Sequence, residues 1–293
     1  MSGLKNNRTL EILRKAEEGR YGILAQCVYD ANQALAFVRA CEKKRSPGIL
    51  QLFPITVKLG GGPFLQYCID ICHNASVPIS VHMDHATDAE ALEQAIGLAE
   101  KGIAFDSIMV DASHADTDEE NIAIAVPYIQ RCNALGIATE VELGRLEGGE
   151  AGLRVIDGGM LTDPSKAEEF MAATGADILA PSIGNLHGSY KFVEGGPNFR
   201  QEILKDLQKK SKVPYLCLHG TDEISDDLFR ECIANGVSKV NVNSWLRDPY
   251  CEALADGLKT KSMPEAIDDA IEALEKSAYR FCDLLGSTGK ADE

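Results

Sequence analysis

The sequence predicts an α/β fold: a single (β/α)8 TIM barrel over residues 1–293, with an extra helix before the first strand and a helical segment after the last. Three observations carry that expectation. Eight short apolar segments rich in β-branched residues recur along the chain, a helix-like segment follows each, and no composition break, internal repeat or low-complexity linker divides them. An open doubly wound sheet is the competing architecture. It ordinarily has fewer strands and a glycine-rich phosphate motif after the first, and none follows VYDANQ.

The strands are expected, in order, in GILAQCVY from Gly22, GILQLFPI from Gly48, ISVHMDH from Ile79 and SIMVDAS from Ser107. Then follow ATEVELG from Ala138, DILAPSIG from Asp177, YLCLHG from Tyr215 and KVNVNS from Lys239. Between them, DAEALEQAIGLAEKG (Asp88 to Gly102) and DDLFRECIANG (Asp226 to Gly236) carry apolar residues at helical spacing, acids early and a glycine at the stop. Two connections are long and glycine-rich, RLEGGEAGLRVIDGGMLT over 145–162 and NLHGSYKFVEGGPNF over 185–199. At the catalytic end of a barrel such loops are often lids. The C-terminal PEAIDDAIEALEKSAYRFCDLL is amphipathic and is expected to cap the barrel or pack on a neighbour.

With 293 residues, 45% of them hydrophobic, the chain can bury one large core. The net charge of −16 is scattered, a field that opposes the phosphate contacts of a nucleic-acid binder. No apolar run approaches the ~20 residues that span a bilayer, and MSGLKNNRTLEIL has no signal-peptide core. Nine cysteines without a secretion signal read as free thiols of a reducing cytoplasm. Cys68 and Cys72 share a helix face and read as packing, because no second pair answers them.

Polar residues gather where the strands end, the face on which barrel enzymes keep their sites. Strand three ends in Asp84-His85 and strand four runs to Asp111 and His114. Strand five carries Glu140 and Glu142, strand six leads to His187, strand seven ends in His219, and strand eight ends in Asn241 and Ser244. Taken alone, His114 or the helical His73 reads as a solvated or hydrogen-bonded residue. Four of six histidines at one barrel mouth read differently: three imidazoles with carboxylates match a catalytic zinc that keeps an open position. Such an ion can polarise a ketone and stabilise an enediolate while a carboxylate such as Asp84 moves the proton of a substrate hydroxyl. Schiff-base chemistry needs a lysine inside the barrel. Lys239 is expected at the wrong end of its strand, and Lys58 and Lys191 in loops.

The segments VHMDHA, TEVELGRLEGGE, APSIGNLHGSYK, VSKVNVNSWLR and LLGSTGKA, in that order, resemble the class II, metal-dependent fructose-bisphosphate and tagatose-bisphosphate aldolases over most of the chain. The resemblance implies His85, His187 and His219 as zinc ligands and Asp84 as the general acid/base. It assigns Asp111 and Glu142 to a second divalent or monovalent ion or a displaced one, His82 to support of the centre, and Glu150 to proton handling from the loop. It also implies small-molecule ketose and aldehyde substrates and a homodimer or homotetramer. Strict alternation would send Asp84 and His85 to opposite faces, so the chain is expected to turn there.

The departures from the family pattern concern the substrate. The family's phosphate turn reads L-H-G-[GA]-S-G; here Asp222 stands in the serine's place and Glu223 in the second glycine's. A carboxylate about 4 Å from a phosphate charge costs roughly 4 kcal/mol at an effective dielectric near 20, about 10³-fold in affinity. Gly188, Gly220, Asn241 and Ser244 remain as substrate contacts beside Asp222. Either both acids turn to solvent and leave backbone amides for a phosphate, or the substrate differs there. Further departures are Ala25-Gln26-Cys27 for A-F-N, Phe53 for a serine, Glu147 for a glycine and Ala151 for an acid. The expected activity is reversible aldol cleavage of a ketose. A metal-dependent isomerase or epimerase on the same barrel, or a non-catalytic barrel that keeps the metal site, are the alternatives.

Overall fold

The computed structural model describes residues 4–149, 159–210, 213 and 215–293. Its centre is a closed barrel of eight parallel strands: β1 (Ile23–Cys27), β2 (Gly48–Leu52), β3 (Ile79–Ala86), β4 (Ser107–Val110), β5 (Ala138–Leu143), β6 (Ile178–Pro181), β7 (Tyr215–Leu218) and β8 (Val237–Val242). Each strand pairs with its sequence neighbours and β8 closes on β1, Ile23 lying opposite Lys239 and Gln26 opposite Val242. All eight expected segments are strands, and closure excludes the open sheet.

The helices are α1 (Arg8–Gly19), α2 (Ala31–Lys44), α3 (Pro54–His73), α4 (Ala89–Ala99), α5 (Asp118–Ala134), α6 (Pro164–Thr174), α7 (Gln201–Leu207), α8 (Asp226–Ala234), α9 (Ser244–Gly257) and α10 (Met263–Leu284). Side-chain caps start many of them. Asp30, Asp88, Thr117, Asp163 and Ser225 accept from backbone N–H groups in the first turns of α2, α4, α5, α6 and α8. One expectation changes here. Lys58 lies in α3, not in a loop, and pairs with Glu90 at 3.2 Å. The run LGGG that follows it is spanned by helix on both sides of a kink at Gly61, whose φ is +59°.

Two apolar layers hold the barrel. The outer one lies between strands and helices and includes Cys68 and Cys72, both fully buried, in keeping with a packing role. The inner one fills the N-terminal half of the barrel with Ile23, Ile49, Met109, Ile178 and Cys217. Helix α1 stoppers that end by adding Ile12, Leu13 and Ala16 to the same cluster. Its cap, Asn7, donates from Nδ2 to the carbonyls of Asp106 at 2.7 Å and Gly136 at 3.0 Å. Helix α10 packs on α9 and α2, with Phe281 against Phe229 and Trp245. Closing one end leaves the polar residues of the other end as the mouth.

Candidate metal centre and active site

β3 supplies two neighbours to the mouth, and its backbone explains how. His85 has φ +50°, and the pairing with β4 shifts register between Met83 and Ala86. The bulge re-aims one side chain, so Asp84 and His85 are both buried at the same mouth, 2% exposed each. The expected turn is there, and it falls on His85 itself.

His187 arrives on a two-residue arm, Leu186–His187, which pairs with Glu147–Gly148 of the preceding loop. His219 follows β7. Gly220 beside it has φ +63°, and a Cβ there would lie 2.2 Å from the Leu186 carbonyl oxygen, so glycine is what lets the arm cross. The rings of His85 and His219 meet edge-on with centroids 4.6 Å apart, and those of His85 and His187 at 4.7 Å. One ligand atom from each of the three lies within 4.8 Å of the others. His187 Nε2 is buried without a hydrogen-bond partner among the described residues. A donor set of three imidazoles, two buried and one half-buried with an unsatisfied nitrogen, fits a divalent ion.

Two of the three rings, those of His85 and His219, are held from behind. Asp111 Oδ2 lies 2.8 Å from His85 Nδ1, and Glu140 Oε1 lies 2.8 Å from His219 Nε2. The Asn185 amide donates to the His219 carbonyl at 2.8 Å. Such partners fix ring orientation and tautomer. His82, fully buried, bonds Ser107 Oγ at 2.8 Å and sits 3.7 Å from Glu140 Oε2, so it reaches the centre through Glu140. Glu142 Oε1 accepts from the Leu146 N–H at 3.0 Å, while its Oε2 is buried without a hydrogen-bond partner among the described residues. His85, Asp111 and Glu142 form a second close group of donor atoms.

Asp84 sits in a polar clamp. Gln51 Nε2 donates to its Oδ2 at 3.2 Å, Asn241 Nδ2 to its Oδ1 at 3.2 Å, and Cys27 Sγ approaches Oδ2 at 3.6 Å. Burial opposes its charge, but His85 and His219 hold the carboxyl below the usual range. Burial likewise opposes a charged His85, and Asp84 and Asp111 overcome it, lifting the imidazole to about 10. Burial and the neighbouring His85 push His187 well below its ordinary value. Burial also lowers His219, with the Glu140 hydrogen bond opposing. Burial and Asp111 push Glu142 up to about 8.

Lys239 corrects the sequence reading. β8 begins two residues earlier, at Val237, and the lysine is fully buried inside the barrel. Its Nζ lies 2.9 Å from Glu140 Oε2 and 2.9 Å from Asn241 Oδ1. Burial opposes its charge, yet Cys217, Glu140 and Asp84 hold the ammonium above its ordinary value. A lysine kept protonated is a poor amine nucleophile, so the conclusion against Schiff-base chemistry stands for a different reason.

The other expected contacts divide. Gly188, Gly220, Asp222 and Asn241 line a narrow cleft with Asp84, His187 and His219. Ser244 stands behind Asp222 and donates to its Oδ1. Glu223 faces solvent and pairs with Lys191 at 2.8 Å. Glu150 and Ala151 lie outside the described residues. His73 pairs with Asp106 at 2.9 Å on the far side of the barrel from the mouth. Glu140, Gln51 and Asn185 were not singled out for these roles. The odd glutamine in the apolar GILQL was the visible signal for Gln51.

A family model described as fructose-bisphosphate aldolase class-II matches residues 7–290. The chain belongs to the class II fructose-bisphosphate aldolase family. The aldolase is thereby an enzyme of the lyases that cleave carbon–carbon bonds, acting on small molecules. It is 31% identical to a protein of Thermus caldophilus named fructose-bisphosphate aldolase, over 96% of this chain and 98% of that one. A crystal structure from Coccidioides immitis, with a provisional fructose-1,6-biphosphate aldolase name, superposes with TM-score 0.92 at 37% identity and covers 99% of both chains. The YdjI aldolase of Escherichia coli K12 is 26% identical, with TM-score 0.79 over 96% of this chain and 97% of that one.

Proposed function

We propose that the aldolase is zinc-dependent and catalyses reversible aldol cleavage of a ketose, with residues 1–293 acting as one barrel domain. The observation that carries this reading is the trio His85, His187 and His219, with donor atoms within 4.8 Å, set in one cleft with the clamped Asp84. The three imidazoles would hold the ion, and three nitrogen donors with nearby carboxylates suit zinc. Bound there, it would supply Lewis acidity, drawing electrons from a substrate carbonyl.

The chain's own groups account for the proton. In the cleavage direction Asp84 takes the proton of the substrate hydroxyl next to the scissile bond. The electron pair of that bond passes toward the carbonyl, and the aldehyde leaves; in synthesis Asp84 returns the proton. Gln51 and Asn241 keep the carboxylate oriented while it does so. Glu150 is assigned the proton at the reacting carbon on the family resemblance alone. Asp111 and Glu142, with His85, would hold a second divalent or monovalent ion or a displaced one. We also propose a cytoplasmic homodimer or homotetramer. All nine cysteines are free thiols, which suits a reducing compartment, and no helix among the described residues is long and apolar enough to cross a membrane.

Metal analysis of purified wild type and His219→Ala tests the centre: the wild type should carry a divalent ion that the variant holds more weakly. Asp84→Ala should keep the ion and lose about 10²- to 10⁴-fold in turnover. A wild type that takes up no divalent ion, or an Asp84→Ala variant of unchanged activity, overturns the reading.

A further inference from the structure

The loops after the last two strands of a (β/α)8 barrel frequently hold a substrate's phosphate against a helix N-terminus, where free N–H groups and the helix dipole favour an anion. Here those loops follow β7 and β8, and the helix is α9, which starts at Ser244. The chain has placed an anion of its own there. Asp222 lines the same cleft as Asp84, His187 and His219, and its Oδ1 accepts from Ser244 Oγ in the first turn of α9.

The turn that carries Asp222 is fixed from both sides. Thr221 Oγ1 donates to the Asn241 carbonyl at 2.5 Å, and the Trp245 indole donates to the Thr221 carbonyl at 2.8 Å. Glu223 has φ +58°, a left-handed conformation that non-glycine residues seldom adopt, and Ser189 Oγ donates to its carboxylate at 2.6 Å. The cations nearby are already engaged. Lys191 pairs with Glu223 at 2.8 Å, and Arg247, whose charge acts on Asp222, pairs with Asp248 at 2.7 Å. The described residues that line the cleft include the carboxylates Asp84 and Asp222 and no lysine or arginine.

We infer that Asp222 takes the place of a substrate phosphate and selects an uncharged hydroxyketone as the donor, whose terminal hydroxyl donates to the carboxylate. This rests on the aldolase reading above and names the substrate class for that site. A ketone phosphate would bring its charge against the Asp222 carboxylate. At about 4 Å and an effective dielectric near 20, each unit of that charge weakens binding about 10³-fold.

The test compares solvent-proton exchange at the carbon next to the carbonyl of dihydroxyacetone and of dihydroxyacetone phosphate, using the full zinc-loaded chain. Wild type should favour dihydroxyacetone in kcat/KM, and Asp222→Ser and the near-isosteric Asp222→Asn should shift the ratio toward the phosphate by up to about 10³-fold. Calorimetric titration of the metal-free chain with inorganic phosphate gives a readout independent of turnover. Asp222→Ser should bind phosphate at least tenfold more tightly than wild type. A wild-type preference for dihydroxyacetone phosphate, or a ratio unmoved in both variants, overturns the inference and leaves the aldolase reading intact. Exchange with neither ketone overturns the aldolase reading, and this inference falls with it.

Discussion

Glu140→Gln separates what holds the barrel from what holds the metal. Glu140 is fully buried on β5 and serves three groups: His219 Nε2 at 2.8 Å, Lys239 Nζ at 2.9 Å and His82 Nε2 at 3.7 Å. The glutamine keeps the shape and removes the charge. Lys239 then stays buried without its counter-charge, and His219 loses a charge-assisted hydrogen bond. Removing one member of a buried pair costs about 3–5 kcal/mol. Losing the group that orients a ligand histidine costs about 10- to 100-fold in metal affinity, or about 1.4–2.7 kcal/mol. The double variant Glu140→Gln/Lys239→Met distinguishes the two. With both charges gone, stability should return toward wild type, but affinity should stay low because His219 still lacks its carboxylate. Thermal unfolding of the metal-free chain reads the first, and competition with a chromophoric chelator reads the second. Wild-type affinity in the single variant, or recovered affinity in the double, refutes the claim that Glu140 positions His219.

Metal uptake should depend on pH through His85. Burial pushes its imidazole down, but Asp84 and Asp111 hold it up at about 10, so it carries a proton at neutral pH that binding must expel. Affinity should therefore rise about tenfold per unit between pH 7 and 9, with about one proton released in buffer-dependent calorimetry; an affinity flat over that range contradicts the assignment. Gly220→Ala forces a Cβ to within 2.2 Å of the Leu186 carbonyl oxygen at φ +63°, and should cost about 1–3 kcal/mol in thermal unfolding and weaken metal binding through His187. Asn7→Ala removes the cap of α1 and the side-chain donor to the Gly136 carbonyl, while the Asp106 carbonyl keeps the Ala138 N–H; it should cost about 1–2 kcal/mol, read by the same melt.

The barrel was legible because each strand is a short β-branched run closed by turn residues and followed by a helical period. The histidines were legible because the fold brings strand ends to one mouth whatever the loops do. Lys239 was misplaced because VSK looks polar for a strand start, and only the closed barrel shows that the third residue of β8 faces inward. Lys58 was misread for the opposite reason: three glycines suggest a loop, and packing of α3 over β2 and β3 keeps both halves helical. Glu140's partner could not be read at all. It depends on which residues of β5, β7 and β8 meet at one depth inside the barrel, and that follows from strand tilt and stagger rather than from local pattern. The split between Asp222 and Glu223 is similar, since one left-handed residue sends adjacent acids in different directions.

The left-handed His85 has a consequence for how the site withstands motion. The carboxylate proposed to move the proton and a proposed ligand of the ion, Asp84 and His85, are consecutive residues, so their backbone separation is set by one peptide unit and not by how two strands pack. Breathing of the barrel, which moves β7 against β3 and so His219 against His85, leaves that separation nearly unchanged. Thermal or mutational loosening should thus part His219 from His85 sooner than it parts Asp84 from His85, although the Gln51 and Asn241 clamp on Asp84 comes from β2 and β8. On the proposed zinc-dependent reading, an enzyme weakened in its scaffold should regain part of its turnover when supplied with excess metal.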